Sequence, residues 1–375
     1  MAKADISAHQ YFTANPLVWL GLIVKNRGIY WKKIPKALII TLISLITAPL
    51  QLIQYFFYLA NKPDRNEITD PIFIIGHWRS GTTFLHYLMC KNPKYGFLTY
   101  YQGFLPTVAL IGGPVMRKLL SFLIPKKRPQ DNIEIESGLP HEEENSISNF
   151  SLKSASHSFF FPKDESFYKK YALLEGLSPS EYTGWKKTYH RMIEEISIAN
   201  GNKPLVIKNP HNTGRIKGLL DLYPNAKFIH IYRDPFDVIP STYLMYDMVI
   251  QTQYLNKYSM EETMDKIFYY YETSMKNWFE QKNLIPKENL FEIKFEEFQY
   301  DAVRIIKNLY KKLNLEYTPE VDERVQEYAE SKKNYKKNVH HIDAHLKSRI
   351  EKECAFALEA LGYNTKAPSY AESTT

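Results

Sequence analysis

The run Pro71-Ile-Phe-Ile-Ile-Gly-His-Trp-Arg-Ser-Gly-Thr-Thr leaves the chain little choice of fold. Ile72 to Ile75 is continuously apolar, the pattern of a parallel strand covered on both faces. Gly76 and Gly81 bound a short loop. Thr82 then opens a segment with apolar residues at Phe84, Leu85, Leu88 and Met89, which share one helix face. Strand, glycine-bounded loop and helix N-terminus together cradle a phosphate, because backbone N–H groups and the helix dipole converge on one point. The glycine spacing is that of nucleotide-triphosphatase loops, G-x-x-x-x-G-K-[ST]. Here Thr82 stands where the lysine belongs, and the positive charge sits inside the loop at Arg79. Such a loop holds a phosphate but lacks the clamp for a γ-phosphate and its magnesium, so kinase and ATPase chemistry is disfavoured. The expected fold is α/β, a P-loop-type parallel sheet flanked by helices, with an N-terminal hydrophobic helical extension.

A second anchor is Lys227-Phe-Ile-His-Ile-Tyr-Arg233, another buried strand that runs into an arginine, with Ser241 following eight positions later. Between the anchors lies Leu205-Val-Ile-Lys-Asn-Pro-His211, and after them Asn289-Leu-Phe-Glu-Ile-Lys-Phe-Glu-Glu-Phe298. With these segments in this order, roughly residues 70–320 resemble the sulfotransferases that use 3′-phosphoadenosine 5′-phosphosulfate (PAPS). The resemblance implies that Arg79, Ser80, Gly81, Thr82 and Thr83 hold the 5′-phosphosulfate and that Arg233 and Ser241 hold the 3′-phosphate. It makes Lys208 the catalytic lysine. Phe295 stands where the family's strand-to-helix corner usually has tyrosine.

Sulfuryl transfer is an in-line displacement at sulfur. The leaving phosphate must be stabilised, the charge on the transferring oxygens matched, and the acceptor hydroxyl relieved of a proton. Arg79, the loop N–H groups, Thr82 and Thr83 suit the first task, and Lys208 the second. For the third, two candidates stand. His211, put first, lies three residues past Lys208, whereas cytosolic relatives carry their base two residues past it. The rival is Pro140-His-Glu-Glu-Glu144, because many bacterial members carry an acidic segment here facing the acceptor, which makes His141, Glu142 and Glu144 candidates. Carboxylates in a helix's first turn also suit its dipole without any catalytic role. Asp234 and Asp237, beside Arg233, are read as helix-start residues that satisfy backbone groups or the arginine.

Residues 37–60 are 24 positions without a charge. As a helix they would measure about 36 Å, against a hydrocarbon core of about 30 Å. Pro49 interrupts the run, Gln51 and Gln54 follow, and basic residues flank both ends. Three readings stay open: an element lying in the membrane interface, a single span, and a helix packed on the domain. Residues 104–124 are again apolar and end in Lys126-Lys-Arg128. The division expected is an N-terminal hydrophobic, membrane-associated helical segment over 1–66, the sulfotransferase domain over 67–363 and a disordered tail over 364–375.

Further expectations concern single elements. Residues 97–101 read as a second strand, 212–223 as the helix after the lysine strand, and Ser178, Ser259 and Asp343 as helix caps. The last helix carries the stripe Leu346, Ile350, Cys354, Leu358 and Leu361. Lys332 to Asn338 is a basic stretch, of a kind that in the family often closes over the nucleotide.

Lys plus Arg exceed Asp plus Glu by seven. That modest balance suits an anionic nucleotide or a membrane surface and is too diffuse for nucleic acid. Two cysteines make no disulfide framework, and no metal-ligand spacing is visible. The function expected is transfer from PAPS to a hydroxyl of a lipophilic acceptor, a sterol or steroid or else a membrane lipid. The enzyme would sit at the cytoplasmic face of a membrane and use no metal. The competing readings are phosphoryl transfer on the same scaffold, sulfation of carbohydrate or another small alcohol, and a non-catalytic nucleotide fold.

Overall fold

The computed structural model describes residues 9–127, 134–164, 166–257, 259–333 and 342–364. The expected tail from residue 365 onward, and 334–338 of the basic stretch, lie outside them. Four strands form one parallel sheet in the order β2-β1-β3-β4, with β1 at Ile72–Ile75, β2 at Val206–Lys208, β3 at Lys227–Tyr232 and β4 at Leu290–Lys294. Ile74 pairs with Lys208 on one side and Ile229 on the other. The chain passes from β1 to β2 on one side and then crosses to β3 on the other, so the crevice beyond the carboxyl end of β1 is the place where such sheets bind ligands.

In chain order, α1 (Pro16–Lys25) and α2 (Ile34–Asn61) precede the sheet. Between β1 and β2 come α3 (Thr82–Met89), α4 (Tyr100–Phe104), α5 (Ala109–Leu123), α6 (Glu143–Phe150), α7 (His157–Phe160), α8 (Ser166–Leu173) and α9 (Pro179–Ala199). Next, α10 (Ile216–Leu220) leads to β3, and α11 (Pro235–Gln253) and α12 (Met260–Gln281) lead to β4. The C-terminal helices are α13 (Phe295–Tyr300), α14 (Ala302–Lys312), α15 (Pro319–Ser331), α16 (Ala344–Glu353) and α17 (Ala355–Ala360).

Alternation along β1 divides the core. Phe73 and Ile75 pack with α9 to α12, α16 and α17, whereas Ile72 and Ile74 pack with α3, α14 and α15. A third cluster joins Tyr11, Trp19, Leu22, Ala37 and Ile40 of the N-terminal segment to Leu105, Leu120, Phe160 and Tyr168. The N-terminal segment therefore shares a core with the segments that follow β1.

Several local expectations need correction. Pro49 does not break α2, which runs through it. A proline there removes one backbone bond, and the side-chain bonds described below hold the helix along its length. Residues 97–101 form no strand. Gly96 and Thr99 make isolated bridges, after which Thr99 and Gln102 build a capping box and α4 begins. Over 212–223, a 3₁₀ turn at Pro210–Gly214 comes first, started by the Asn209 side chain accepting from His211 N, and only α10 is helical. The final stripe is broken at Cys354 into α16 and α17. The caps at Ser178, Ser259 and Asp343 are present, each accepting a bond from its helix's first turn.

Candidate functional site

The loop between β1 and α3 takes its shape from residues that tolerate unusual backbone angles. Gly76 and Gly81 have φ of 144° and 98°, and Arg79 sits in the left-handed region at 68°. A Cβ at Gly76 would lie 2.1 Å from the Ile231 carbonyl oxygen, and one at Gly81 would lie 2.4 Å from the Phe295 ring. Only glycine lets the loop press this closely on β3 and α13. Ser80 Oγ closes the turn by donating to His77 O at 2.7 Å, and Gly76 N donates to Thr213 Oγ1 at 2.8 Å. Gly81, the N-cap of α3, has no side chain to occupy the helix's first N–H groups.

The two anchors meet here. Arg79 Nε donates to Ser241 Oγ at 2.8 Å, and Arg233 donates to Arg79 O at 3.3 Å. Arg233 also pairs with Asp237 at 2.7 Å, and its guanidinium lies 4.7 Å from the centre of the Phe295 ring. Asp234 caps α11 by accepting from Phe236 N. A cavity of about 970 Å³ opens over this cluster, at the upper end of the sizes usual for small-molecule sites. Trp78, Arg79, Gly81, Thr82, Thr83, Arg233 and Ser241 line it, together with Glu142, Pro210, Met245, Phe295 and Tyr328. Ser80 is not on that wall; its side chain is spent inside the loop.

Lys208, at the end of β2, is buried, and its ammonium is in contact with the Glu142 carboxylate. Of the four candidate bases, Glu142 is the one that lines the cavity. His141 turns to α4 instead, stacked 4.2 Å from Tyr100 and 5.7 Å from Phe104. His211 is buried, with its ring edge-on to Trp78 at 4.6 Å. Burial pushes its imidazole down to about 4, so it is neutral at pH 7.

Glu144 is enclosed. Its carboxylate accepts from Arg215 at 2.5 Å, Ser154 Oγ at 2.8 Å and Ala155 N at 2.9 Å. Burial alone would raise this carboxyl, but Arg215, His211 and Ser154 outweigh it and bring it down to about 2. A carboxylate so stabilised is a poor proton acceptor. Next to it, Glu143 accepts from Tyr189, Asn209 and Asn212, and burial raises its pKa. Together Glu143 and Glu144 fasten the acidic segment to the turn that follows Lys208.

Sequence reasoning missed Trp78, Arg215 and the aromatic wall around Phe295 and Tyr328. Arg215 carried no signal, because nothing in its neighbourhood marks an arginine as fully buried. Trp78 lay inside the loop motif but outside its recurring positions. Among the described residues, no group of three or more His, Cys, Asp or Glu is placed to hold a metal ion.

A sequence profile of the sulfotransferase family matches residues 71–319, a range that takes in the loop, Lys208, Arg233 and Ser241. Two proteins named omega-hydroxy-beta-dihydromenaquinone-9 sulfotransferase Stf3, from Mycobacterium bovis and Mycobacterium tuberculosis, are each 27% identical over 355 residues, or 93% of this chain and 90% of the relative. The crystal structure of sulfotransferase STF9 from Mycobacterium avium is similar with a TM-score of 0.65 at 18% identity, over 84% of this chain and 82% of that one. STF1 from Mycobacterium tuberculosis gives 0.60 at 15% identity, over 83% and 86%. At such identities the structural likeness speaks for the fold alone.

Proposed function

Because the chain belongs to the sulfotransferase family, we propose that it moves the sulfuryl group of PAPS to the hydroxyl of a lipophilic alcohol, working at the cytoplasmic face of a membrane. The observation that carries the reading is the meeting of Arg79, Arg233, Ser241 and the uncapped N-terminus of α3 on one cavity wall, with Glu142 and Lys208 beside it. Two guanidiniums, a hydroxyl and a helix N-terminus fit a ligand that carries two separate anionic groups. The cavity also has aromatic surface, at Trp78, Phe295 and Tyr328, on which a base can stack.

When bound, PAPS supplies an activated sulfuryl group and a phosphate that leaves as adenosine 3′,5′-bisphosphate. Arg79 and the first N–H groups of α3 hold the 5′ end, while Arg233 and Ser241 hold the 3′-phosphate. Charge-assisted bonds of this kind contribute roughly 1.5–3 kcal/mol each. Lys208 brings positive charge to the transferring oxygens. Glu142, exposed to the cavity and touching Lys208, takes the proton from the acceptor hydroxyl; His211 keeps Trp78 and the lysine turn in place. Glu142 rather than His211 is assigned the base because it faces the space an acceptor can enter.

The acceptor class rests on two supports. A relative spanning nearly the whole chain is named for an omega-hydroxylated dihydromenaquinone, and α2 is long and apolar enough to cross a membrane by length and composition. The acceptor is thus a long apolar molecule bearing a hydroxyl, either of that relative's kind or a sterol. Incubation with radiolabelled PAPS and a membrane-lipid extract tests this. Label should pass into the lipid phase, and Lys208→Ala and Glu142→Gln should each slow the transfer by about a hundredfold or more. Label entering only carbohydrate would overturn the acceptor, and undiminished transfer by Lys208→Ala would overturn the mechanism.

A further inference from the structure

The polarity of α2 is inside out. Ser44, Thr47, Gln51, Gln54 and Tyr58 follow one another at intervals of three and four, so they share one face, and that face is the buried one. Each reaches a polar partner. Ser44 Oγ donates to Ala14 O at 2.7 Å, Gln51 to Thr47 Oγ1 at 3.0 Å, Gln54 to Pro106 O at 2.7 Å and Tyr58 OH to Glu194 at 2.6 Å. The opposite face exposes Leu38, Leu42, Leu45, Ile46, Ile53 and Phe56. A helix on a water-soluble domain shows the reverse arrangement. Two of the helices that pack on α2 add to the exposed apolar surface, α1 with Leu20 and Val24 and α5 with Val115 and Phe122. Soluble monomers rarely leave so large an apolar patch uncovered.

We infer that this surface docks the enzyme flat on one leaflet of an anionic bilayer, with α2 lying in the plane of the interface rather than crossing it. The inference rests on the membrane reading given above and supplies its geometry.

Two observations select the occupant and the orientation. From His9 to Lys62 the chain has six lysines and arginines and not one aspartate or glutamate, and residues 109–127 add four more cations without a carboxylate. Such a rim repels a second copy of itself and complements anionic headgroups. The orientation follows from the side-chain bonds. Lys36 Nζ donates to Thr252 O, and Tyr58, 22 residues on, bonds Glu194. The domain therefore holds about 33 Å of the helix. Gln54 also bonds Glu195, which pairs with Arg191 at 2.8 Å. Stood across a bilayer, α2 would draw these charged partners into the hydrocarbon, which is costly. Lying flat, it leaves them on the protein side. The same placement brings Met245 and Glu142 of the cavity lining toward the lipid, since Met245 is on α11, whose C-terminal turn Lys36 holds, and Glu142 follows His141, which rests on α4, itself packed on α5.

Flotation with phosphatidylcholine vesicles, with and without phosphatidylglycerol, tests docking. Spin labels at Leu38→Cys, Ile46→Cys and Ile53→Cys, read for depth with the wild-type chain as labelling blank, test orientation. The full chain should float with the anionic vesicles, the three labels should report one shallow depth, and Ile46→Asp with Ile53→Asp should lower the bound fraction at least tenfold. Lys32→Glu with Lys33→Glu, which leaves the apolar face intact, should weaken binding only to anionic vesicles. Failure to float, a depth maximum at Ile46, or a soluble dimer in which the labels are shielded would each overturn the inference. Affinity for adenosine 3′,5′-bisphosphate, measured on the same samples, reports separately on the nucleotide reading. Its retention shows that the variants are folded. Its absence from the wild type would sink that reading and leave the docking result standing.

Discussion

His77, His157 and His211 are all buried, and burial holds each imidazole at about 4, against an ordinary value of 6.5. Between those values the unfolded chain binds more protons than the folded one, so each histidine's contribution is lost as pH falls from 6.5 towards 4. A shift of this size corresponds to a loss on the order of 3 kcal/mol per residue at most. Glu195 works the other way: burial raises it to about 7, so its contribution fades as pH rises from 4.5 to 7. Burial also lowers His86, His190 and His230 and raises Glu143 and Asp234, so six histidines oppose three carboxyls and the thermal midpoint declines on acidification below pH 6.5. Glu144 adds a second loss from 4.5 down to about 2. Melting curves taken across pH check this, and His157→Gln, at a residue that does not line the cavity, should flatten the first decline. A midpoint constant from 6.5 to 4.5 would contradict it. None of this was legible in the sequence, because a histidine's burial depends on neighbours far along the chain. His157, for instance, is held by Tyr11, 146 residues away.

At the scale of elements, the connection between the acidic segment and the lysine turn matters most. Glu144 and Arg215 form a pair with almost no exposure, and Glu143 ties Asn209 and Asn212 to the same place. Removing one partner of a buried pair costs about 3–5 kcal/mol, whereas replacing both by apolar groups is often neutral. Arg215→Met alone should therefore destabilise the protein strongly, and Arg215→Met with Glu144→Leu should restore the melting point. The double variant should still turn over slowly, with KM for PAPS little changed, because the segment that sets Glu142 beside Lys208 has lost its fastening. Recovery of both stability and turnover would show that the pair serves packing alone. The strand-loop-helix unit at 71–91 was readable because an apolar run and two glycines act locally. The sequence also held a Thr99-x-x-Gln102 capping box, but the aromatic content of 97–101 obscured it. In α2 a helical stretch was legible, but Pro49 read as a break in it, and its orientation was not legible. Gln51 and Gln54 read as blemishes in a possible span, and they are the side that faces the protein.

For the whole molecule, three distant segments deliver charge to the carboxyl edge of one sheet: Arg79 after β1, Lys208 at the end of β2 and Arg233 after β3. Their order along the chain suggested the family, and the parallel register explains why they meet, since every strand ends at the same edge. The large cavity and its aromatic wall depend on α13 to α15, whose placement no local pattern could give. Nucleotide binding is the central claim. Titration calorimetry with adenosine 3′,5′-bisphosphate and adenosine 5′-phosphate, without magnesium, on the wild type and Arg233→Ala, tests it most directly. The bisphosphate should bind the wild type and lose roughly ten- to a hundredfold in affinity on substitution, the worth of one charge-assisted contact, while the monophosphate changes little. Equal losses for both ligands, or binding that requires ATP with magnesium, would contradict it.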